Sequence, residues 1–361
     1  MDSIPQIEPW FDEHEADALR DYILSGGWGT EFKKTAEFET LLCDFTGAAH
    51  CIVTTSGTVS LTLALLALGL QPGDEAIVPD LTMIATANAA RLIGARPIFV
   101  DVEPETLNLD IGEVERAVTP KTRAVMHVSL NGRSNDLDAL LSLCRSRGIH
   151  LVEDAAQSLG CFFGGRHLGT IGEAGCLSFS TPKVITTGQG GAVLTNDEEL
   201  ARKVRKMKDF GRIGGGHDIY DDIGFNFKFT DIQAVVGIEQ MKKLPWRLQR
   251  KKEIWNQYRE RLADIEEIAW IATDTRTVAP WFVDIFVEDR DALGAHLEAR
   301  GIGTRPIYPP LHAQGAYGLS HLSFPVSESF SSRGLWLPSS SKLSDRQLEH
   351  IFTAIRSFFI S

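Results

Sequence analysis

An excess of positive charge is missing from this chain. Its 36 Lys and Arg face 48 Asp and Glu over 361 residues, a net charge of −12. Binding that tracks a nucleic-acid backbone is therefore disfavoured, although local basic groups can still receive a nucleotide-linked small molecule. Cysteine is scarce. The five present (Cys43, Cys51, Cys144, Cys161 and Cys176) form no C-x-x-C and no metal-type spacing, and read as buried thiols in a reducing compartment. No apolar run exceeds that over 61–70, too short to cross a bilayer. The opening MDSIPQIEPW has no basic region followed by an apolar stretch, so no signal peptide is expected. Internal repeats and low-complexity tracts are absent as well. These absences point to a cytoplasmic protein that engages neither nucleic acid nor membrane. At 43% apolar and 23% charged, the chain has a core to bury and length for two lobes.

What is present is an alternation of short apolar strands with helical spacing. Strands are expected over 75–78, 97–100, 124–128 and 150–153, and helices over 59–68, 82–92, 114–117 and 137–147. Strands so uniformly apolar, alternating with helices, predict an α/β fold with a mainly parallel sheet covered on both faces. Functional groups in such sheets gather beyond the carboxyl ends of the strands. Ser56-Gly57-Thr58, the segment 79–83 and the segment 154–157 fall there. A helix is expected over 232–241. Eight Lys or Arg over 242–261 then predict a solvated helix face bridging two lobes. From about residue 265 shorter elements suggest a smaller α+β lobe, so the chain divides into residues 1–241 and 242–361. The glycine-rich stretch 211–216 reads as a flexible loop. Trp28, after Gly26-Gly27, is either a core anchor or part of a cleft.

One stretch organises the rest. A short strand over 176–179 delivers Lys183 into a turn among Ser, Thr and Gly, followed by the hairpin Gly188-Gln189-Gly190-Gly191. A lysine with no acidic neighbour in sequence is a candidate covalent amine, the kind that forms a Schiff base with pyridoxal phosphate (PLP). Alone, the stretch would be read first as carrying an ordinary exposed loop lysine. The turn Ser56-Gly57-Thr58 at a helix start offers free N–H groups to a phosphate, or else is a plain N-cap. Asp154, ending an apolar strand 29 residues before Lys183, could hold a pyridine nitrogen protonated, or cap the next turn.

Taken in order, these motifs resemble one family. Ser56-Gly57-Thr58, Gly73-Asp74-Glu75-Ala76-Ile77-Val78-Pro79, Glu153-Asp154-Ala155-Ala156-Gln157, Ser178-Phe179 with Lys183, the Gly188–Gly191 hairpin and Gly224-Phe225-Asn226 look like those of the DegT/DnrJ/EryC1/StrS sugar aminotransferases. Gly303-Thr304-Arg305-Pro306, Pro310-Leu311-His312 and Leu335-Trp336-Leu337-Pro338-Ser339 resemble that family's tail. The resemblance implies the fold-type I PLP architecture and a homodimer. It implies Lys183 as the Schiff-base lysine and proton shuttle, Asp154 at the ring nitrogen and Gln157 against the ring. Thr58, the Val59 N–H and Ser178 would hold the phosphate, joined by Asn226 of the neighbouring subunit. Met83 stands where an aromatic usually stacks on the cofactor, and a thioether keeps part of that contact. Lys228 replaces a forked guanidinium with a point charge. Ser129-Leu130-Asn131-Gly132-Arg133 also departs from the family pattern, and both departures bear on substrate identity. A dehydratase branch has histidine where this chain has Lys183, so transamination is expected. The implied reaction moves an amino group from L-glutamate to a keto sugar, nucleotide-linked and most like the GDP-4-keto-6-deoxy sugar of perosamine-type 4-aminotransferases. The alternatives are a free keto sugar or aminocyclitol precursor, and a PLP-binding sensor without turnover.

Overall fold

The computed structural model describes residues 3–212, 218–220 and 222–359. Residues 213–216 of the glycine-rich stretch therefore lie outside the described residues. Helices α1 (Glu13–Leu24) and α2 (Lys33–Thr46) precede β1 (His50–Thr54) and α3 (Gly57–Ala67). There follow β2 (Glu75–Pro79), α4 (Ala85–Leu92), β3 (Arg96–Val100), α5 (Ile111–Ala117), β4 (Thr122–Val128), α6 (Leu137–Arg147) and β5 (His150–Asp154). A small hairpin, β6 (Phe162–Phe163) and β7 (Arg166–His167), leads to β8 (Ala174–Ser178), β9 (Gly191–Thr195) and α7 (Glu198–Lys208).

The seven long strands form one sheet in the order β1-β9-β8-β5-β4-β2-β3. Pairing is parallel from β3 through β8, and only β9 runs against its neighbours. Both faces are buried, as the near-continuous apolar strands require. Alternate residues serve opposite faces: Ile52, Val78, Met126 and Val152 join the cluster under α3, α4 and α7. Their neighbours Ile77, Val125 and Leu151 pack with α5 and α6, and Val53 and Leu177 pack with α2. Helix α3 is buried from Ser60 onward on nearly every side, which its run of Leu and Ala allows.

Helix α8 (Asp231–Arg261) joins the expected helix over 232–241 to the basic stretch after it, with Pro245 inside. It crosses residues 241 and 242 without a break. The basic stretch is not wholly solvated, and here the expectation is corrected. Arg247 is 3% and Lys251 6% exposed. Arg247 donates to the carbonyls of Trp10 and Val184 and to Gln240 Oε1. Lys251 Nζ donates to the carbonyls of Trp281 at 2.5 Å and Ser339 at 3.0 Å. Buried cations are tolerated where hydrogen-bond acceptors meet them, as these carbonyls and Gln240 Oε1 do. The remaining elements are β10 (Val283–Phe286), α9 (Arg290–Glu298), β11 (Arg305–Pro306), α10 (Pro325–Arg333), β12 (Gly334–Leu337) and α11 (Asp345–Phe359). An antiparallel sheet, β10-β12-β11, packs with the second half of α8, α9 and α11 around a separate apolar cluster. Ile4 belongs to that cluster and bridges to Ile302, so the N-terminal segment is stitched into the C-terminal lobe.

Two further expectations change. Helix α4 starts at Ala85 rather than Thr82, because Thr82 and Met83 form the turn before it, where Met83 O accepts from Thr86 N. Trp28 is not a core anchor; it is 62% exposed, its indole N–H bound to Thr30 Oγ1.

Candidate active site

Parallel pairing brings the carboxyl ends of β1, β2, β5 and β8 to one edge of the sheet. Strand β9 begins at that edge, with Gly191 opposite both Thr54 and Ser178. Above it lies a cleft of about 300 Å³ lined by Gly57, Thr58, Met83, Asp154, Gln157, Ser178 and Lys183. Trp281, Arg305 and Tyr308 close its other side.

The turn after β1 is shaped by hydroxyls. Ser56 caps α3, its Oγ accepting from Val59 N at 3.2 Å, while Thr54 Oγ1 donates to Ser56 O and meets Ser60 Oγ. The Val59 N–H is thus already engaged. Gly57 and Thr58 open the first turn of α3, where no intrahelical acceptor exists for their N–H groups. A Cβ on Gly57 would come within 3.0 Å of Ser178 Cβ, so the turn and β8 are as close as backbone permits. Ser178 Oγ donates to Ser180 Oγ and accepts from Ser180 N. Hydroxyl, N–H groups and the positive end of a helix thus converge where an anion would be received.

Asp154 ends β5 and is buried. Its Oδ2 accepts from Thr86 Oγ1 at 2.7 Å and its Oδ1 from Ala156 N at 3.2 Å. Burial raises the Asp154 pKa, opposed by the Thr86 hydrogen bond and the charge of Lys183. No cation within hydrogen-bond reach pairs with it among the described residues. The carboxylate is therefore fitted to a positive group that arrives from outside.

Lys183 is half-buried, its backbone N–H tied to Ser180 O. Its Nζ lies 4.1 Å from the centre of the Trp281 ring. Loss of solvent lowers its pKa to about 8; Asp154 opposes that shift and Arg305 adds to it. An amine with a pKa near 8 is partly neutral at physiological pH, which a nucleophile or base requires. Trp281 is held in turn, its indole N–H donating to Pro182 O at 2.8 Å.

Gln157 is buried, and its Oε1 accepts from Asn131 N at 2.8 Å. Met83 is 45% exposed at the cleft. Thr58 and Ser178 also line it, whereas Val59 does not. Asn226 lies apart from the cleft of its own chain, exposed and bridged to Asp209. Lys228 is spent on Asp209, 2.6 Å away. The segment 129–133 turns inward: Asn131 exchanges two hydrogen bonds with the Phe282 backbone, and Arg133 forms a two-pronged ion pair with Asp284. The segment thereby joins the end of β4 to β10 and to Gln157 of the cleft.

The sequence reading gave no role to Thr86, Trp281, Arg305 or Tyr308. Arg305 stood inside a quoted motif and could have been singled out; the other three carry no local pattern that points to a cleft.

The fit to PLP rests on three observations: open N–H groups at α3, a buried carboxylate without a cation, and a lysine of lowered pKa in one cleft. Comparison with known proteins agrees. The model of the DegT/DnrJ/EryC1/StrS aminotransferase family matches residues 10–356. A GDP-perosamine synthase of Vibrio cholerae is 33% identical over 99% of both chains. The solved structure of S. venezuelae DesV superposes with a TM-score of 0.94 over the whole of both chains, at 32% identity. The structure of Streptococcus pneumoniae Spr1654 in its PLP form gives 0.92 over 98% of each chain, at 28% identity. Among the described residues no helix is long and apolar enough to cross a membrane. The chain belongs to the DegT/DnrJ/EryC1/StrS aminotransferase family, and it is a PLP-dependent sugar aminotransferase.

Proposed function

We propose that this enzyme transfers the amino group of L-glutamate to C4 of a GDP-linked 4-keto-6-deoxy sugar. Support for the nucleotide and the carbon comes from the likeness to the Vibrio cholerae GDP-perosamine synthase over nearly the full chain. The single observation that carries the chemistry is the meeting of Lys183, Asp154 and the α3 turn in one cleft.

Thr58, the Gly57 N–H and Ser178 would hold the cofactor's phosphate, with Gln157 and Met83 against its ring. When bound, PLP supplies an aldehyde that takes up an amine and a ring that accepts the electron pair left by a departing proton. Asp154 keeps the ring nitrogen protonated, its own position fixed by Thr86. Lys183 Nζ would take the α-proton of the donor and deliver it to the carbon that the cofactor's aldehyde contributes. In the second half it works in reverse on the keto sugar. The donor would leave as 2-oxoglutarate, its amino group retained with the cofactor, before the keto sugar enters, which gives ping-pong kinetics. Trp281 covers Lys183 and keeps bulk water from its amine.

Asn226 completes the phosphate site of a second subunit in this reading. Ile219 at 67% and Ile223 at 86% exposure flank it in sequence, apolar surface of the sort that a dimer covers.

The deciding experiment is an absorbance titration of the purified enzyme. L-glutamate should convert the visible band of lysine-bound cofactor to that of its aminated form. A GDP-linked 4-keto-6-deoxy sugar should restore the first band, where a TDP-linked or free keto sugar restores it poorly. Restoration by a free keto sugar alone would remove the nucleotide from the proposal. Lys183→Ala should abolish the conversion, and unchanged turnover in that variant would sink the assignment. Mixing inactive Lys183→Ala and Asn226→Ala subunits should regain activity, because one site then receives both intact residues. No recovery would mean that Asn226 does not serve the neighbouring site.

A further inference from the structure

Lys251 is a buried amine that meets no carboxylate among the described residues. It sits midway along α8, 6% exposed, and two of its three N–H bonds go to the carbonyls of Trp281 and Ser339. Trp281 lies just before β10 and Ser339 just after β12, so the amine ties together the entry and the exit of the C-terminal sheet. Loss of solvent lowers its pKa to about 7; Arg247, one turn earlier on α8, adds to that shift and Cys161 opposes it. A methionine of similar length would fill the space with no charge to desolvate, so packing does not account for a lysine here.

What the amine adds is a grip on Trp281, the residue whose ring centre lies 4.1 Å from Lys183 Nζ. Three segments fix that residue: Lys251 at its carbonyl, Pro182 O at its indole N–H, and Trp336 of β12 edge-on to its ring, 5.7 Å between centres. Lys183 and Lys251 also line one chamber of about 10 Å³, with Gln157, Ser178, Val184 and Trp281 around it. That is room for about one water. Bulk solvent therefore does not reach Lys183 from this side, and loss of solvent is the first cause of its lowered pKa. Without the Lys251 amine, the Trp281 carbonyl would be a buried acceptor lacking a partner, which entering water or a shift of the residue must repair. Either change uncovers Lys183.

We propose that Lys251 is a positioning residue: it holds the Trp281 carbonyl so that the indole stays on Lys183 and keeps that amine dry. The inference rests on the role proposed above for Lys183. Asp154 on β5 and Arg305 on β11 act on the same amine by charge. Lys251 acts through a ring and through the solvent that the ring excludes, which makes its effect separable from theirs. A lysine that served stability alone would lower Tm on removal and leave the protonation of Lys183 where it is.

The test follows the rate at which cofactor-free protein takes up PLP, by absorbance over a pH series, in wild type, K251M, K251R and W281L. K251M loses the donors, so water should reach Lys183 and raise the midpoint of the profile by about one pH unit. That slows uptake at pH 7 about tenfold. K251R keeps donors at this position and should recover most of the loss. W281L removes the ring but leaves the carbonyl of residue 281 to Lys251, and should raise the midpoint as K251M does. Adding K251M to W281L should then change uptake less than about twofold, because no ring remains to be positioned. A full K251M effect in that background would mean that Lys251 acts by charge alone, and overturns the proposal. Wild-type midpoints in K251M or in W281L overturn it as well, and K251Q takes the place of K251M should that variant not fold. Lys183→Ala separates the two readings. Loss of the visible band there, with unmoved midpoints in the other variants, sinks the role of Lys251 alone. The same band in Lys183→Ala sinks the role of Lys183 and this proposal with it.

Discussion

Lys183 and Asp154 set each other's protonation, and the balance can be tested one residue at a time. Burial lowers the lysine to about 8, and the Asp154 charge opposes that shift. In apo-enzyme the rate of cofactor capture should therefore climb about tenfold per pH unit below 8 and level off above it, following the neutral amine. Asp154→Asn removes the opposing charge, so the Lys183 midpoint should move to lower pH. The same variant should lose turnover by on the order of 100-fold or more, because the ring nitrogen loses its charge partner. Stopped-flow absorbance across a pH series reads the first effect, and steady-state kcat the second. An unmoved midpoint would show that Lys183 and Asp154 do not interact as their placement implies.

At the level of elements, the site depends on how tightly three strands meet at one edge. Gly191 begins β9 between β1 and β8, and a Cβ there would lie 2.5 Å from the Ser56 carbonyl and 2.6 Å from Gly57 N. Those are backbone atoms of the turn proposed to hold the phosphate, and they cannot step aside as a flexible side chain could. Gly191→Ala should cost about 1–3 kcal/mol of stability, as overpacking does. It should also weaken cofactor retention, because the same displacement misplaces the α3 N–H groups. Urea unfolding of the apo-protein measures the first, and dialysis of the loaded enzyme the second. Retention at the wild-type level, with the stability cost present, would remove the α3 turn from the phosphate site.

Across the whole molecule, the cleft exists only because the C-terminal lobe is fastened over the sheet edge. Arg133 beside β4 and Asp284 on β10 are each 3% exposed and lie 2.6 Å apart, with Arg133 Nε on Thr106 O. Such a pair adds little net stability but is costly to break from one side. Asp284→Ala leaves a buried guanidinium alone and should cost about 3–5 kcal/mol. A fall of several degrees in Tm by calorimetry checks it, and a change below about 1 kcal/mol would mean that water reaches Arg133. Lys251 fastens the same joint from α8, holding the Trp281 carbonyl while the Trp281 ring rests on Lys183. The joint and Lys183 are thus one packed unit.

The sequence by itself determined the parallel sheet, and it picked out Lys183 and the clusters at the strand ends that the fold brings to one cleft. Those signals are local: strands buried on both faces must be apolar throughout, and a Ser-Gly-Thr turn or a lysine before a glycine hairpin is read within a few residues. The smaller C-terminal sheet was also legible in outline, since short strands replace the βα alternation after α8. Only the tertiary structure decided which side chains share the cleft. Thr86 meets Asp154 across 68 positions and Trp281 binds Pro182 across 99, and neither pair has a spacing that a pattern can register. The buried Arg247 and Lys251 were misread for the same reason. Charge on a helix predicts solvent unless carbonyls from distant segments arrive to accept its hydrogen bonds, and only folding brings them there.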